Sequence, residues 1–325
     1  MPMRNGDCGE RRIPGIDFDS LMDLRVDYAF KLLFTKGDSR LMVSLLNSIF
    51  ANKEIRRRIK SVVIKNPHLE KESDEAKHSI LDIRAELEDG TAVIVEMHMY
   101  GLGELKAKML RSWARVYGEE LKAGENYAGQ PPTIAIAFTD GQIEPAAKTG
   151  RGDKIHRLCK IMDCEDLVVF TEAMELHFID MKAFAKAVNE TGSLTAGDAR
   201  EAMFAKWLSV ITQKEIADKA VIESAYKDEE EIRMAISTLA RQGEDKIARQ
   251  AYQRRQDEIY FYNKEKFEHQ QEKLEYQRKL EEKDAALAKQ GAAIAEQGAA
   301  LAKKDAALAE QAKKIAELLA LLGKN

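Results

Sequence analysis

Cysteine is almost absent from this 325-residue chain, which has only Cys8, Cys159 and Cys164. An odd, scattered trio offers no disulfide framework, so the fold must rest on a packed core, and the thiols read as reduced, as in a cytoplasmic protein. Proline is scarce too, at six residues, which leaves long stretches free to continue as helix. No run approaches the roughly 18 apolar residues of a membrane span, which argues against a membrane partner. The stretch from Met1 to Gly15 lacks the apolar segment of a secretory signal. Neither sign of charge dominates, with 51 Lys and Arg against 55 Asp and Glu and a net charge of −4. No global basic field draws the chain onto nucleic acid, so any such contact must come from local patches. A Walker-type glycine loop is also missing, and with it a seat for ATP.

What is present is 45% hydrophobic and 33% charged sequence, enough for one sizeable core with a polar extension or for two modest domains. Residues 1–20 read as a polar arm. Val26, Phe30, Leu33 and Phe34 then fall at helical spacing, Gly37 and Asp38 break that helix, and Ser39 is placed to cap the next, whose stripe is Leu41, Leu45, Leu46, Ile49 and Phe50. A basic run containing Lys53, Arg56, Arg57, Arg58 and Lys60 leads into a short strand from Ser61 to Lys65. After a charged stretch comes a hairpin, folded at Glu88 to Thr91. Leu105, Met109, Trp113, Val116, Tyr117 and Leu121 predict an amphipathic helix. Thr133 to Phe138 reads as a buried strand, and a last strand pair is expected within Asp166 to Asp180. This order predicts a mixed α/β core over residues 21–184.

Beyond it the strand signals vanish. Residues 185–282 read as a charged helical region and residues 283–325 as an Ala-rich heptad-repeat helix. Leu287, Ile294, Leu301, Leu308, Ile315 and Leu322 recur every seven residues, the spacing of a coiled coil. The alternate seam position holds Asp284, Gly291, Gly298 and Asp305, which weakens packing there. Two readings stand side by side: a low-complexity helix, and an oligomerisation coil that would make the chain a homo-oligomer.

Chemistry concentrates in the hairpin. Alternation along a strand puts Glu96 and His98 on one face while Val95 and Met97 point the other way, and the turn brings Asp82 alongside that face. Two carboxylates and a third polar group then converge, as in a site for a hard divalent ion such as Mg²⁺. The competing reading of such a hairpin is a solvated charged face. Asp27 and Lys31, four residues apart on a helix, read either as site residues or as a surface ion pair. Arg56, Arg57 and Arg58, and Lys106, Lys108, Arg111 and Arg115 on the amphipathic helix, are candidate phosphate contacts, Arg111 foremost among them; the competing reading of each set is an ordinary solvated surface. His156, Cys159, Cys164 and His177 have the spacing of no common zinc module and read as core residues.

The order of Asp27, Phe30, Lys31 and Phe34, then Leu45, Leu46 and Asn47, then Asp82 and Ile83, then Val95, Glu96, Met97 and His98 resembles the Rpn-type recombination-promoting nucleases, transposase-like proteins with a PD-(D/E)xK nuclease domain. Arg111, Trp113, Tyr117, Leu121, Gly124 and Tyr127 fit the same pattern, as do Glu175 to Asp180. The resemblance covers about residues 20–260. It implies a restriction-endonuclease-like core and metal-dependent hydrolysis of DNA phosphodiesters with low sequence specificity, linked to recombination or mobile DNA. It implies that Asp82 and Glu96 hold Mg²⁺ (alternatively Mn²⁺ or Ca²⁺), that Asp27 and Lys31 approach the site, and that Lys77 contacts phosphate. His98 falls where the superfamily has lysine and many members of this family have glutamine. It can orient water, carry a charge or bind metal, depending on its protonation. The alternative is a catalytically impaired DNA-binding scaffold on the same fold, assembled through its C-terminal helix.

Overall fold

A computed structural model describes residues 17–55, 57–65, 82–99, 102–119, 126–143, 154–195 and 202–322. Two helices open the described chain, α1 (Asp27–Lys36) and α2 (Ser39–Ala51). Asp38 caps α2, its carboxylate accepting from the Arg40 amide at 2.9 Å. The sequence favoured Ser39 as the cap. Asp38 takes the role because its backbone is still extended while Ser39 already belongs to the helix.

The sheet has six strands in the order β1 (Val62–Ile64), β2 (Ile83–Leu87), β3 (Ala92–His98), β4 (Thr133–Thr139), β6 (Val169–Asp180) and β5 (His156–Met162). The outer pairs are antiparallel, whereas β3, β4 and β6 run parallel at the centre. The β2–β3 hairpin closes where expected, with Gly90 at φ 80°, a left-handed conformation that glycine adopts without steric cost. A parallel pair needs a crossover, and helix α3 (Leu102–Glu119) supplies it between β3 and β4. All residues of β3 and β4 are buried, as the near-continuous apolar sequence of a doubly covered strand requires. β5 begins ten residues before the expected strand pair, and Asp166 itself lies in the connecting turn. As an edge strand β5 is only half-buried and carries Arg157 and Lys160, which dilutes its apolar signal.

Leu105, Met109 and Val116 of α3 pack on one face of the sheet, against Ala92, Ile94, Ala135, Ala137, Leu176 and Phe178. Rings fill the other face, where Phe30 meets Phe34 at 4.7 Å and Phe138 at 5.5 Å, and Phe34 meets Trp207 at 5.6 Å. Helices α4 (Met181–Thr191), α5 (Ala202–Ile211), α6 (Lys219–Asp228) and α7 (Glu230–Glu244) follow, with Phe184, Trp207, Ile222 and Ile236 fully or almost fully buried. Helix α8 (Lys246–Leu322) closes the chain as 77 continuous residues. Two compact units result, one ending at Glu258 and the other running from Ile259. From Phe267 to Leu318 every residue is exposed. Among the described residues no helix is long and apolar enough to cross a membrane.

Trp207 lies far along the chain yet joins the aromatic layer through Phe34, its indole N–H donating to Ser44 Oγ at 3.0 Å. Replacing it with Ala is expected to lower stability by about 3–5 kcal/mol, read by urea unfolding followed by circular dichroism. A loss below about 1 kcal/mol would mean that α5 is not part of the core.

Candidate active site

Glu96 and His98 close the buried strand β3 on the face that α3 covers. Ile83 pairs with Val95, so Asp82, one residue earlier, stands opposite Glu96 at the mouth of the hairpin. In register on the neighbouring strand β4 are Ala137 and Thr139. Glu96 is fully buried and His98 nearly so. Glu96 Oε1 accepts from the Lys108 ammonium and lies 3.1 Å from His98 Nδ1. Its other oxygen, Oε2, and the outer ring nitrogen of His98, Nε2, are buried with no hydrogen-bond partner. A buried polar atom in that state costs free energy unless something else satisfies it.

Asp82 as a residue is half-buried, but its Oδ1 is shut off from solvent. Burial, followed by the adjacent charge of Glu96, pushes its pKa up to about 7, against the opposing pull of Lys108, Arg84 and Arg115. Two carboxylates that share a site cannot both ionise freely. A divalent cation would remove that conflict, and the donor set fits one: two carboxylates, one with an unpartnered oxygen, suit an ion that keeps most of its water. Among the described residues no group of three or more His, Cys, Asp and Glu side chains is arranged as a fuller metal cage.

Lys108, read from the sequence only as a candidate phosphate contact, turns instead to Glu96. The signal lay in its spacing: it follows Leu105 by three positions and so falls on the apolar stripe. Asp27 and Lys31 are both 4% exposed, which rules out a surface pair. Arg255 grips Asp27 with two hydrogen bonds, of 2.8 and 2.6 Å. Arg57 turns inward, 3.8 Å from Glu175 and with its guanidinium 5.6 Å from the Phe50 ring centre. Arg58 and Arg111 are exposed. Lys77 and Arg56 lie outside the described residues.

A second polar group lies on the other side of the sheet. Asn52 Nδ2 is 2.9 Å from His156 Nδ1, His156 Nε2 is 2.9 Å from His177 Nδ1, and His177 Nε2 is 3.5 Å from Glu175. Burial pushes His156 down to about 2 and His177 below its usual range, so the pair is neutral. The two rings satisfy each other, while Cys159 packs against the α3 side of the sheet and Cys164 is exposed. These four residues do not form a zinc site.

A family model described as PD-(D/E)XK nuclease family transposase matches residues 24–269, well over half of the chain. Neither the curated proteins nor the solved structures contain a match.

The raised pKa of Asp82 has a direct consequence. In the folded state the group holds its proton up to about pH 7, whereas unfolded it releases it near 3.9. Its contribution to stability is therefore complete below about pH 4 and lost as the pH rises through about 7. Without added metal, Asp82→Asn should flatten that part of the stability profile measured by urea unfolding between pH 4 and 8. An unchanged slope would place the carboxyl in a more solvated setting.

Proposed function

This chain belongs to the PD-(D/E)XK nuclease family transposases, and from that premise we propose that it is a metal-dependent endonuclease that hydrolyses DNA phosphodiester bonds with low sequence specificity. The observation that carries the reading is the buried pair Asp82 and Glu96, with the unpartnered Glu96 Oε2 beside His98 and Lys108. Asp82 and Glu96 would hold Mg²⁺, or Mn²⁺ or Ca²⁺ in its place. Such an ion, when bound, lowers the pKa of coordinated water and offsets charge developing on the phosphate.

The protein's own side chains supply the rest. Lys108 brings a fixed positive charge to the site, a role that His98 fills only when protonated. Its ammonium sits where it can stabilise a phosphate oxygen as negative charge builds up. His98 is steadied through Nδ1 by Glu96, which leaves Nε2 as the atom that orients water or accepts its proton. Asp27 and Lys31 enter this reading as buried residues that approach the site from α1, with Asp27 tied to α8 through Arg255. Arg58 and Arg111, both exposed, serve as phosphate contacts in this reading together with Lys77 and Arg56, whereas Arg57 is turned to Glu175 instead. A role in recombination or mobile DNA accords with the family's description. The exposed apolar stripe of α8 supports a further reading, that the chain self-associates through it.

One observation favours the alternative, a DNA-binding scaffold that does not cut. Lys108 already neutralises Glu96, and a carboxylate paired with an ammonium attracts a cation less strongly.

Nicking of supercoiled plasmid separates the two. Purified protein is expected to nick in Mg²⁺ or Mn²⁺ and not in EDTA. Asp82→Ala and Glu96→Ala should each reduce nicking by on the order of 100-fold or more, and Lys108→Ala by a similar factor, with circular dichroism unchanged. Either carboxylate variant cutting at the wild-type rate would sink the site assignment. DNA binding without nicking in any of the metals would establish the scaffold.

A further inference from the structure

Along α8, Leu280, Leu287, Ile294, Leu301, Leu308 and Ile315 recur every seven residues, and their side chains are 49–69% exposed. Seven-residue recurrence keeps them on one side of a slightly underwound helix. The alternate position of the same seam holds Asp284, Gly291, Gly298, Asp305 and Ala312. Large and small residues therefore alternate along it.

The two glycines are informative. Glycine weakens a helix interior relative to alanine, and the surrounding tail is rich in alanine. A Cβ added at Gly291 or Gly298 would meet nothing within 4 Å, so no contact among the described residues requires their small size. The space they leave lies on the outside of the helix, in the seam.

We propose that this seam pairs with the same seam of a second copy running in the opposite direction. A parallel pair would set like against like: leucine on leucine, then glycine on glycine, and Asp284 and Asp305 each on its own counterpart. Glycine layers leave gaps in which the lining atoms lose their contacts. Aspartate layers bring two carboxylates together as water leaves the seam. An antiparallel pair sets each large residue against a small one. Leucine or isoleucine then fills the space at Gly291 and Gly298, and no aspartate faces another, which is how facing layers reach native density. Each of the six large side chains has on the order of 100 Å² of apolar surface to bury. Two copies together reach about 1,200 Å², the lower bound for a stable interface.

The proposal rests on the self-association reading of α8 and not on nuclease activity, so failure of one leaves the other standing. It is tested on the full-length chain by measuring mass in solution. Amine cross-linking with a short reagent follows, on a mixture of isotopically heavy and light copies. The expected result is the mass of two chains, with links from Lys283 to the segment between Lys303 and Lys314. Within one straight helix Lys283 and Lys313 lie about 45 Å apart, beyond such a reagent, so this link reports antiparallel pairing. A chain ending at Glu282 should show the mass of a single truncated chain. Heavy-to-light links of Lys283 to Lys283 or Lys313 to Lys313 would show parallel pairing and overturn the proposal. So would the mass of a single chain at tens of micromolar, or a dimer that survives the truncation.

Discussion

Strand β3 is covered on both faces, and the chemistry of this molecule depends on that constraint. Its first four residues are apolar and ask nothing of their surroundings. Glu96 and His98, at its end, are equally buried, and a buried carboxylate must find a partner or take up a proton. The crossover helix α3 answers part of that demand by directing Lys108 at Glu96. The connection that makes β3 and β4 parallel is thus also the one that brings a cation to the site. One carboxylate oxygen and one imidazole nitrogen are left unsatisfied, and Asp82 across the hairpin adds a second carboxyl whose ionisation is opposed by the first.

The sheet carries a second buried polar cluster, and the contrast locates the strain. On the far side Asn52, His156, His177 and Glu175 pass hydrogen bonds from one to the next, with Lys160 and Arg57 close to Glu175. Burial keeps both rings neutral, and every nitrogen of the two rings has a partner, so this chain of contacts joins α2 to the β5–β6 edge. A fully partnered network specifies structure, whereas a partly satisfied one carries a cost that a ligand can remove. That difference, more than the presence of ionisable residues, separates support from site here.

Period-two alternation made much of the site legible. It placed Glu96 and His98 on one face and the turn at Gly90 set Asp82 across from them, because strand geometry and hairpin chemistry are local. Contacts that depend on how distant elements cross were not legible. Lys108 meets Glu96 only because α3 packs at a particular height over β3, and Arg255 reaches Asp27 from 228 positions away. The His156–His177 contact needs the register of β5 on β6, in which Leu158 stands opposite His177. Nothing in the spacing of the two histidines encodes it. The aromatic layer shows the same limit, since Trp207 lies in the region that read only as charged helix.

A net charge close to zero conceals an uneven distribution, and α3 shows it on a single helix. Lys108 lies on the apolar stripe and is committed to Glu96. Lys106, Arg111 and Arg115 are exposed on the same helix, and Arg115 is near enough to Asp82 to act on its ionisation. One helix therefore offsets the buried acids on its inner side and presents cations on its outer side. Phosphate approaching the carboxylates would otherwise meet like charge. Potential at short range is set by the nearest few charges, since salt screens the rest within about 10 Å. Under the proposed function, the acidic balance of the whole chain is then no obstacle to DNA, because α3 keeps Lys106, Arg111 and Arg115 exposed.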